Sequence, residues 1–287
     1  MGFLTGHGDS INALSFLNDD HLLVSASDDN TCRIWDLRTE SVISTYQNCF
    51  HDAPQTLHVP PFSQNVFYIS VQDRIYEMDL RKNKALMSDK ESSSSSSSGC
   101  SSSSPAASTT AIYTHHRDDI NQMTSTDMDM ASVDDAGDII LWKKNKIMCK
   151  IENAHDNIAS TIQFHPYKKG KQYITGGFDC TLYFWSKKGR RGKVVFEPQI
   201  KSSTCLNPPF VHSLEYSPNG KQVVVGLGDG SVAWIDNNTQ KVLTRNTPHR
   251  AGVAQIVHPT FGKSGTRLVS MGNDKQVLII LVIRDII

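Results

Sequence analysis

The sequence lacks the features that would place the protein in a membrane or on a polyanion. Its longest uninterrupted apolar run, residues 277–283, is much shorter than the roughly 20 residues of a membrane-spanning helix. It contains 29 basic and 29 acidic residues, so no net charge draws it to nucleic acid or to an anionic membrane. The stretch MGFLTGHGDSINALSF has no basic segment followed by an apolar one, and we therefore expect no signal peptide.

Motifs for cofactors and metals are also missing. The six cysteines are scattered without a C-x-x-C pair, which favours free thiols in the cytoplasm and/or nucleus over a disulfide framework. No G-x-x-x-x-G-K-[ST] loop is present to hold a nucleotide. The densest histidine cluster, His115-His116, has no second ligand pair at zinc-site spacing, so we interpret His116 as a turn histidine. We expect neither a metal nor another cofactor.

A repeat runs through the chain. An aspartate that follows a short apolar strand and precedes an alternating one recurs about every 44 residues. The six candidates are Asp29, Asp73, Asp135, Asp179, Asp229 and Asp274. The one long interval, 62 residues between Asp73 and Asp135, contains the polar stretch SSSSSSSGCSSSSPAASTT at residues 92–110. Such a stretch cannot bury apolar surface, so we predict a single domain over residues 1–287 with a disordered serine-rich loop at about 88–110.

The pieces around each aspartate have the length and composition of β-strands. Upstream stretches such as LLVSAS and QYITGG, and downstream ones such as TCRIWD and TLYFWS, are rich in β-branched and aromatic residues. Glycine, asparagine, aspartate and proline separate them as turns. Six such units, with three or four strands each, predict an all-β chain folded as a β-propeller of six four-stranded blades.

Two units carry a motif that resembles the WD repeat. In both, an aspartate lies four residues after a serine or threonine and six before a tryptophan, with a histidine further upstream. The two sets are His7, Ser25, Asp29 and Trp35, and His155, Thr175, Asp179 and Trp185. The other units are degenerate, with Met78, Ile235 and Ile280 in place of tryptophan in three of them. The resemblance covers the chain apart from the serine-rich insert and implies a WD-repeat propeller.

The number of blades has two readings. WD propellers usually have seven blades, whereas six units are recognisable in this sequence. In the family the N-terminus supplies the last strand of the final blade, and residues 2–7 (GFLTGH) could do so for a ring of six. Alternatively, a seventh blade is missing or degenerate, and an open ring would leave unpaired strand edges.

Ser25, His7 and Asp29 are the residue types of a hydrolase triad. The same types recur in the second set, and enzymes seldom repeat a triad around one ring. In WD repeats such residues form, with the tryptophan, a buried hydrogen-bond network inside each blade. We therefore interpret the eight residues as structural and the protein as not an enzyme. A propeller hydrolase is the less favoured alternative.

Residues 23–38 resemble the box by which WD proteins dock onto the adaptor of cullin-4-type ubiquitin ligases. Asp36 and Arg38 end this box, and Asp79 and Arg81 repeat its second half in the next unit. The resemblance implies a non-catalytic interaction scaffold, a monomeric propeller within a larger complex, that brings substrate proteins to such a ligase. The alternative is a WD-repeat adaptor for chromatin or signalling complexes.

The run KKGRRGK at residues 187–193 is compact and basic. Clustered lysine and arginine can contact phosphates or an acidic partner. We expect instead a solvated loop between outer strands.

Overall fold

The computed structural model describes residues 3–17, 21–47, 49–61, 63, 65–82, 109–143, 146–198, 207–257 and 267–281. The predicted serine-rich loop lies outside these ranges up to residue 108, whereas Thr109 and Thr110 already belong to a strand. Within the described ranges only residues 80–82 are helical, and no helix there is long and apolar enough to cross a membrane.

The chain divides into two compact units, residues 1–120 and 121–287. The first unit contains two four-stranded antiparallel sheets with their strands in sequence order. Blade 1 consists of β1 (Ile11–Phe16), β2 (Leu22–Ser27), β3 (Thr31–Asp36) and β4 (Ser41–Gln47). Blade 2 consists of β5 (Thr56–His58), β6 (Val66–Val71), β7 (Arg74–Asp79) and β8 (Thr109–Tyr113).

Four further sheets make up the second unit. Blade 3 consists of β9 (Ile120–Ser125), β10 (Asp129–Asp134), β11 (Ile139–Lys143) and β12 (Lys146–Ile151). Blade 4 consists of β13 (Ala159–Phe164), β14 (Gln172–Gly177), β15 (Thr181–Ser186) and β16 (Gly189–Val195). Blade 5 consists of β17 (Val211–Tyr216), β18 (Gln222–Leu227), β19 (Val232–Asp236) and β20 (Val242–Asn246). Blade 6 consists of β21 (Val253–Val257), β22 (Arg267–Gly272) and β23 (Val277–Leu281).

Every sheet is an antiparallel meander, as expected for a propeller blade. The predicted all-β propeller fold with six blades is confirmed. The sixth blade has three strands within the described ranges. Residues 3–7, considered above as a closing strand, lie in no strand. The solvated loop expected at residues 187–193 is a wrong prediction, because strand β16 begins at Gly189 and includes most of them.

Neighbouring blades within each unit bury apolar side chains between their sheets. Val24 and Ile34 of blade 1 share one buried cluster with Phe67, Ile69 and Met78 of blade 2. Similar clusters join blades 3 and 4, blades 4 and 5, and blades 5 and 6. The side chains of a strand alternate between the two faces of its sheet. A strand is therefore buried on both faces only where a neighbouring blade packs against each face. Burying a side chain such as that of Phe67 contributes about 1.5–3 kcal/mol.

Gly137 and Gly189 both adopt positive φ, but in different surroundings. Gly137, between β10 and β11, has a φ of 79°, and a Cβ there would lie 2.5 Å from the His155 carbonyl oxygen. Gly189, at the start of β16, has a φ of 115°, and a Cβ there would meet nothing within 4 Å. Substitutions at these two positions therefore distinguish the cost of backbone strain from the cost of a steric clash.

Gly137→Ala and Gly189→Ala should both destabilise the protein, because each places an alanine at positive φ at a cost of about 1–3 kcal/mol. Gly137→Ala adds a clash with the backbone of the next loop, so we expect it to lower the thermal midpoint further. Circular dichroism melts of the two variants test this. An equal or larger loss for Gly189→Ala would contradict the close approach at Gly137.

Candidate functional site

In blade 1 the structure brings the four residues of the first predicted set together. Ser25 lies on β2, Trp35 on β3, Asp29 in the turn between these strands, and His7 ahead of β1. His7 Nδ1 lies 2.8 Å from the Asp29 carboxylate, and His7 Nε2 lies 2.6 Å from Ser25 Oγ. Trp35 Nε1 donates to the same hydroxyl at 2.8 Å. One buried hydroxyl thus connects the second strand, the third strand and the incoming chain.

Blade 4 repeats this arrangement with threonine in place of serine. His155 Nδ1 lies 3.0 Å from the Asp179 carboxylate, and its Nε2 lies 2.8 Å from Thr175 Oγ1. Trp185 Nε1 donates to that hydroxyl at 2.8 Å. The eight predicted network residues therefore form two groups of four, each inside its own blade.

The carboxylates fix the direction of each hydrogen-bond chain. Burial opposes ionisation of Asp29, but hydrogen bonds from Thr31, the Gly8 N–H and His7 outweigh it and hold its pKa well below the usual range. An ionised carboxylate can only accept, so in the neutral imidazole of His7 the proton is on Nδ1 and Nε2 is an acceptor. The Ser25 hydroxyl then donates to His7 and accepts from Trp35.

This order of donors matches that of a catalytic triad, but the hydroxyls are enclosed. Ser25 is 1% exposed and Thr175 is 0% exposed. A nucleophile must reach a substrate carbonyl, with an oxyanion site beside it. Here the tryptophan N–H occupies one side of each hydroxyl oxygen, and the blade covers the rest. The arrangement suits the pinning of strands, not acyl transfer.

Blade 6 has the same core of interactions without the tryptophan. His249 Nδ1 lies 3.1 Å from the Asp274 carboxylate, and its Nε2 lies 2.8 Å from Ser270 Oγ. Ile280 stands where tryptophan would donate. The sequence shows His249, Ser270 and Asp274 in the last unit, but the two predicted networks were those with a tryptophan.

In blade 3 the aligned aspartate is not the network residue. Ser132 and Trp142 are joined by a bond of 3.0 Å and are ten residues apart, as are Ser25 and Trp35. This register places Ala136, not Asp135, at the aspartate position. Asp135 instead accepts from Asn121 at 2.7 Å. The alignment on Asp135 is corrected by one residue, a shift that the serine–tryptophan spacing could have revealed.

The remaining two aligned aspartates have other roles. Asp73 is exposed in the turn of blade 2 and lies 3.6 Å from Arg74. Asp229 of blade 5 accepts from Ser231 and from Arg245, whose Nε also donates to Ser231 at 2.8 Å. No sequence spacing indicated Arg245, because it reaches Asp229 from the neighbouring strand β20.

The two predicted docking pairs have matching geometry in blades 1 and 2. Asp36 ends β3 and accepts from Arg38 Nε at 3.2 Å and from its Nη2 at 3.0 Å. Asp79 ends β7 and accepts the corresponding bonds from Arg81 at 3.0 Å and 2.7 Å. The backbone N–H of each arginine donates to the same carboxylate, at 2.8 Å and 2.9 Å. We call these two pairs the Asp–Arg forks.

The aspartates of the forks are ionised and buried, whereas the arginines are exposed. Hydrogen bonds from Arg38 lower the pKa of Asp36 to about 2, and those from Arg81 lower the pKa of Asp79. The arginine side chains are 63% and 68% exposed. Asp236 ends the third strand of blade 5 in the same way, but the backbone N–H groups of Asn238 and Thr239 bond to it, and no arginine follows.

The histidine cluster gives no sign of a metal centre. His116 is buried, at 6% exposure. Across the part of the chain that the structure describes, no three histidine, cysteine, aspartate or glutamate side chains are grouped so as to hold a metal ion.

The chain is similar to WD-repeat proteins. The family profile of the WD domain, G-beta repeat, matches residues 1–36. Over 96% of its length the chain is 28% identical to the WD repeat-containing protein 53 homolog of Dictyostelium discoideum, covering 76% of that protein. Over 44% of its length it is 28% identical to an uncharacterized WD repeat-containing protein of Schizosaccharomyces pombe, covering 19% of that protein. The predicted resemblance to WD repeats is confirmed, as is the similarity to WD repeat-containing protein 53 that the DDAGDIILW turn and the GGFDCTLYFWS strand predict.

Ser25→Ala should destabilise the protein more than Ser270→Ala. The first change removes the partner of both Trp35 and His7, whereas the second removes the partner of His249 alone. Each buried group left unpaired costs about 1–3 kcal/mol. Urea unfolding of the two variants measures the difference, and Ser25→Thr, which keeps the hydroxyl as blade 4 does, is the control. A Ser270→Ala variant as unstable as Ser25→Ala would argue against the shared role of the Ser25 hydroxyl.

Lowering the pH should reduce the stability of the fold by protonating the aspartates of the hydrogen-bond networks. The pKa values of Asp29, Asp179 and Asp274 are lower in the folded protein than the ordinary 3.8. Their stabilisation is therefore fully present above the unfolded pKa and is lost as the pH falls from about 5 through the folded values. We expect the free energy of unfolding to decrease over that range and the decrease to be smaller in Asp179→Asn. Asp73→Asn, which changes an exposed carboxylate, is the matched control. An identical pH profile for the two variants would refute the contribution of Asp179 to the loss of stability in acid.

Proposed function

We propose that this WD-repeat propeller is a non-catalytic protein-interaction scaffold that serves as a substrate receptor of a cullin-4-type ubiquitin ligase. The observation that carries the proposal is the repetition of one Asp–Arg fork, with an exposed arginine, at the same place in two successive blades. We also propose that the protein acts in the cytoplasm and/or nucleus, as a monomeric single-domain propeller within the larger complex.

The two forks are suited to act together. Each follows the third strand of its blade, so both lie at the same end of their sheets. Blades 1 and 2 are neighbours in one unit, where Asn12 of β1 donates to the Pro54 carbonyl just ahead of β5 at 3.1 Å. Two arginines in equivalent positions therefore form a paired feature of the first unit.

The aspartates prepare the arginines for binding. A guanidinium held by two parallel hydrogen bonds loses less conformational freedom when a partner binds. Arginine is planar, carries several donors and is enriched among interface residues that dominate affinity. Carbonyl and carboxylate oxygens of a partner are the groups that such a side chain would bind.

A WD-repeat adaptor for chromatin or signalling complexes is the alternative, because the same surface would serve other partners. A propeller hydrolase is less well supported, since the Ser25 and Thr175 hydroxyls are buried and accept from tryptophan. A hydrolase activity that disappears in Ser25→Thr or Ser25→Ala while the fold survives would overturn the non-catalytic assignment.

Affinity purification with quantitative mass spectrometry tests the docking role. We expect the full chain to recover the ligase adaptor and the double variant Arg38→Ala, Arg81→Ala to lose it. Truncation of a dominant interface arginine costs on the order of 2 kcal/mol or more. Replacing both arginines by lysine keeps the charge but removes the planar fork, so recovery should also fall.

Arg74→Ala is the matched control, because Arg74 is an exposed arginine at the opposite end of β7 in blade 2. Recovery of the adaptor by this variant should equal that of the wild type. If the wild type recovers no ligase adaptor, or if the double alanine variant recovers it equally well, the docking proposal fails. Recovery of a chromatin or signalling complex in its place would favour the alternative.

A further inference from the structure

A pocket opens between blades 3 and 4 of the second unit. Its volume is about 260 Å³. Trp142, Phe164 and Tyr173 contribute buried aromatic surface, and Met148, 63% exposed, stands at the solvent side together with the exposed Cys149. The pocket lies where β11 ends and β12 begins, at the end of the blades away from the His155–Asp179 contact.

The size of the pocket suits one large side chain. Sites for small molecules usually measure about 300–1,000 Å³ and enclose most of the ligand. This cavity is smaller, open and largely apolar in its lining. An aromatic or aliphatic anchor residue that fills a pocket is the usual centre of a protein interface.

The surroundings of the pocket are strongly basic. The described parts of segments 143–150, 165–171 and 186–193, which each contribute lining residues, contain three, three and five lysines or arginines and no acidic residue. Lys143 and Lys187 line the opening and are exposed. The whole chain has no net charge, so this excess is a local segregation that would attract acidic groups.

Part of the basic run is fixed on the blade. Arg190 lies over the rings of Tyr183 and Trp185, with its Cζ 4.7 Å and 5.8 Å from their centroids. Gly170, with a φ of 71°, lets the turn at residues 165–171 approach Asp129 closely. The rim is thus built from packed turns and strands of two blades.

We propose that this pocket binds an acidic peptide segment of a partner protein, with one bulky apolar side chain in the cavity and flanking carboxylates on the surrounding lysines. The site is distinct from the Asp–Arg forks and does not depend on them. A single-stranded nucleic acid is less well matched, because bases stack on exposed aromatic faces, whereas Trp142, Phe164 and Tyr173 are buried.

Fluorescence anisotropy of the full chain with three fluorescein-labelled nonapeptides tests the proposal. Each peptide has a central leucine, phenylalanine or tryptophan between four glutamates on either side. We expect at least one to bind, and its binding to weaken by about tenfold or more when the central residue is alanine or the flanks are lysine. Failure of all three peptides to bind, or equal binding of the alanine version, would overturn the proposal.

Two further measurements locate the binding. The double variant Lys143→Glu, Lys187→Glu should lose the peptide, whereas Lys241→Glu, an exposed lysine just after the corresponding turn of blade 5, should bind normally. Saturating peptide should slow alkylation of Cys149 by iodoacetamide and leave Cys49 of the first unit unchanged. Binding without protection of Cys149 would place the peptide elsewhere on the protein. Tighter competition by a single-stranded oligonucleotide than by the peptide would assign the basic surface to nucleic acid. Either result would overturn the proposal.

Discussion

A buried hydroxyl that both accepts and donates a hydrogen bond determines how blades 1 and 4 are built. The oxygen of Ser25 or Thr175 accepts a hydrogen bond from the tryptophan N–H of the next strand. The same hydroxyl donates a hydrogen bond to a histidine in the loop before the first strand of the blade. The histidine in turn needs an ionised aspartate to hold its tautomer. Removing a member leaves its buried polar partner unpaired unless another side chain takes its place.

The other blades show how such replacement occurs. In blade 5, Arg245 supplies the positive partner for Asp229 and holds Ser231, so the aspartate remains satisfied without a histidine. In blade 2, His51 Nδ1 contacts Tyr76 Oη at 3.0 Å, and its Nε2 contacts Gln72 Oε1 at 3.0 Å. Different side chains thus pair the polar groups at the turn end of a blade, buried ones in blade 5 and partly exposed ones in blade 2.

The sequence predicted the fold and the two complete networks because both depend on local spacing. Strand alternation and the serine–aspartate–tryptophan interval are properties of neighbouring residues. Blade 3 misled the alignment because the DDAGD turn offers several aspartates, whereas the Ser132–Trp142 pair places Ala136 at the aspartate position. Arg245 and the pocket could not be predicted, since each depends on side chains from different strands that meet only in the folded chain. The arginines of the forks could be identified from the sequence. Only the structure shows the hydrogen bonds by which the aspartates orient them.

The pairing of the third and fourth strands shifts register at one equivalent place in all five blades whose fourth strand is described. The shift falls at Trp35, Met78, Trp142, Trp185 and Ile235. An irregular step of this kind bends the outer strand and increases its twist. A regular outer strand would present its free hydrogen-bonding groups as a template for another chain. We therefore expect the interruption beside the tryptophan position to disfavour pairing of the outer strand with another chain.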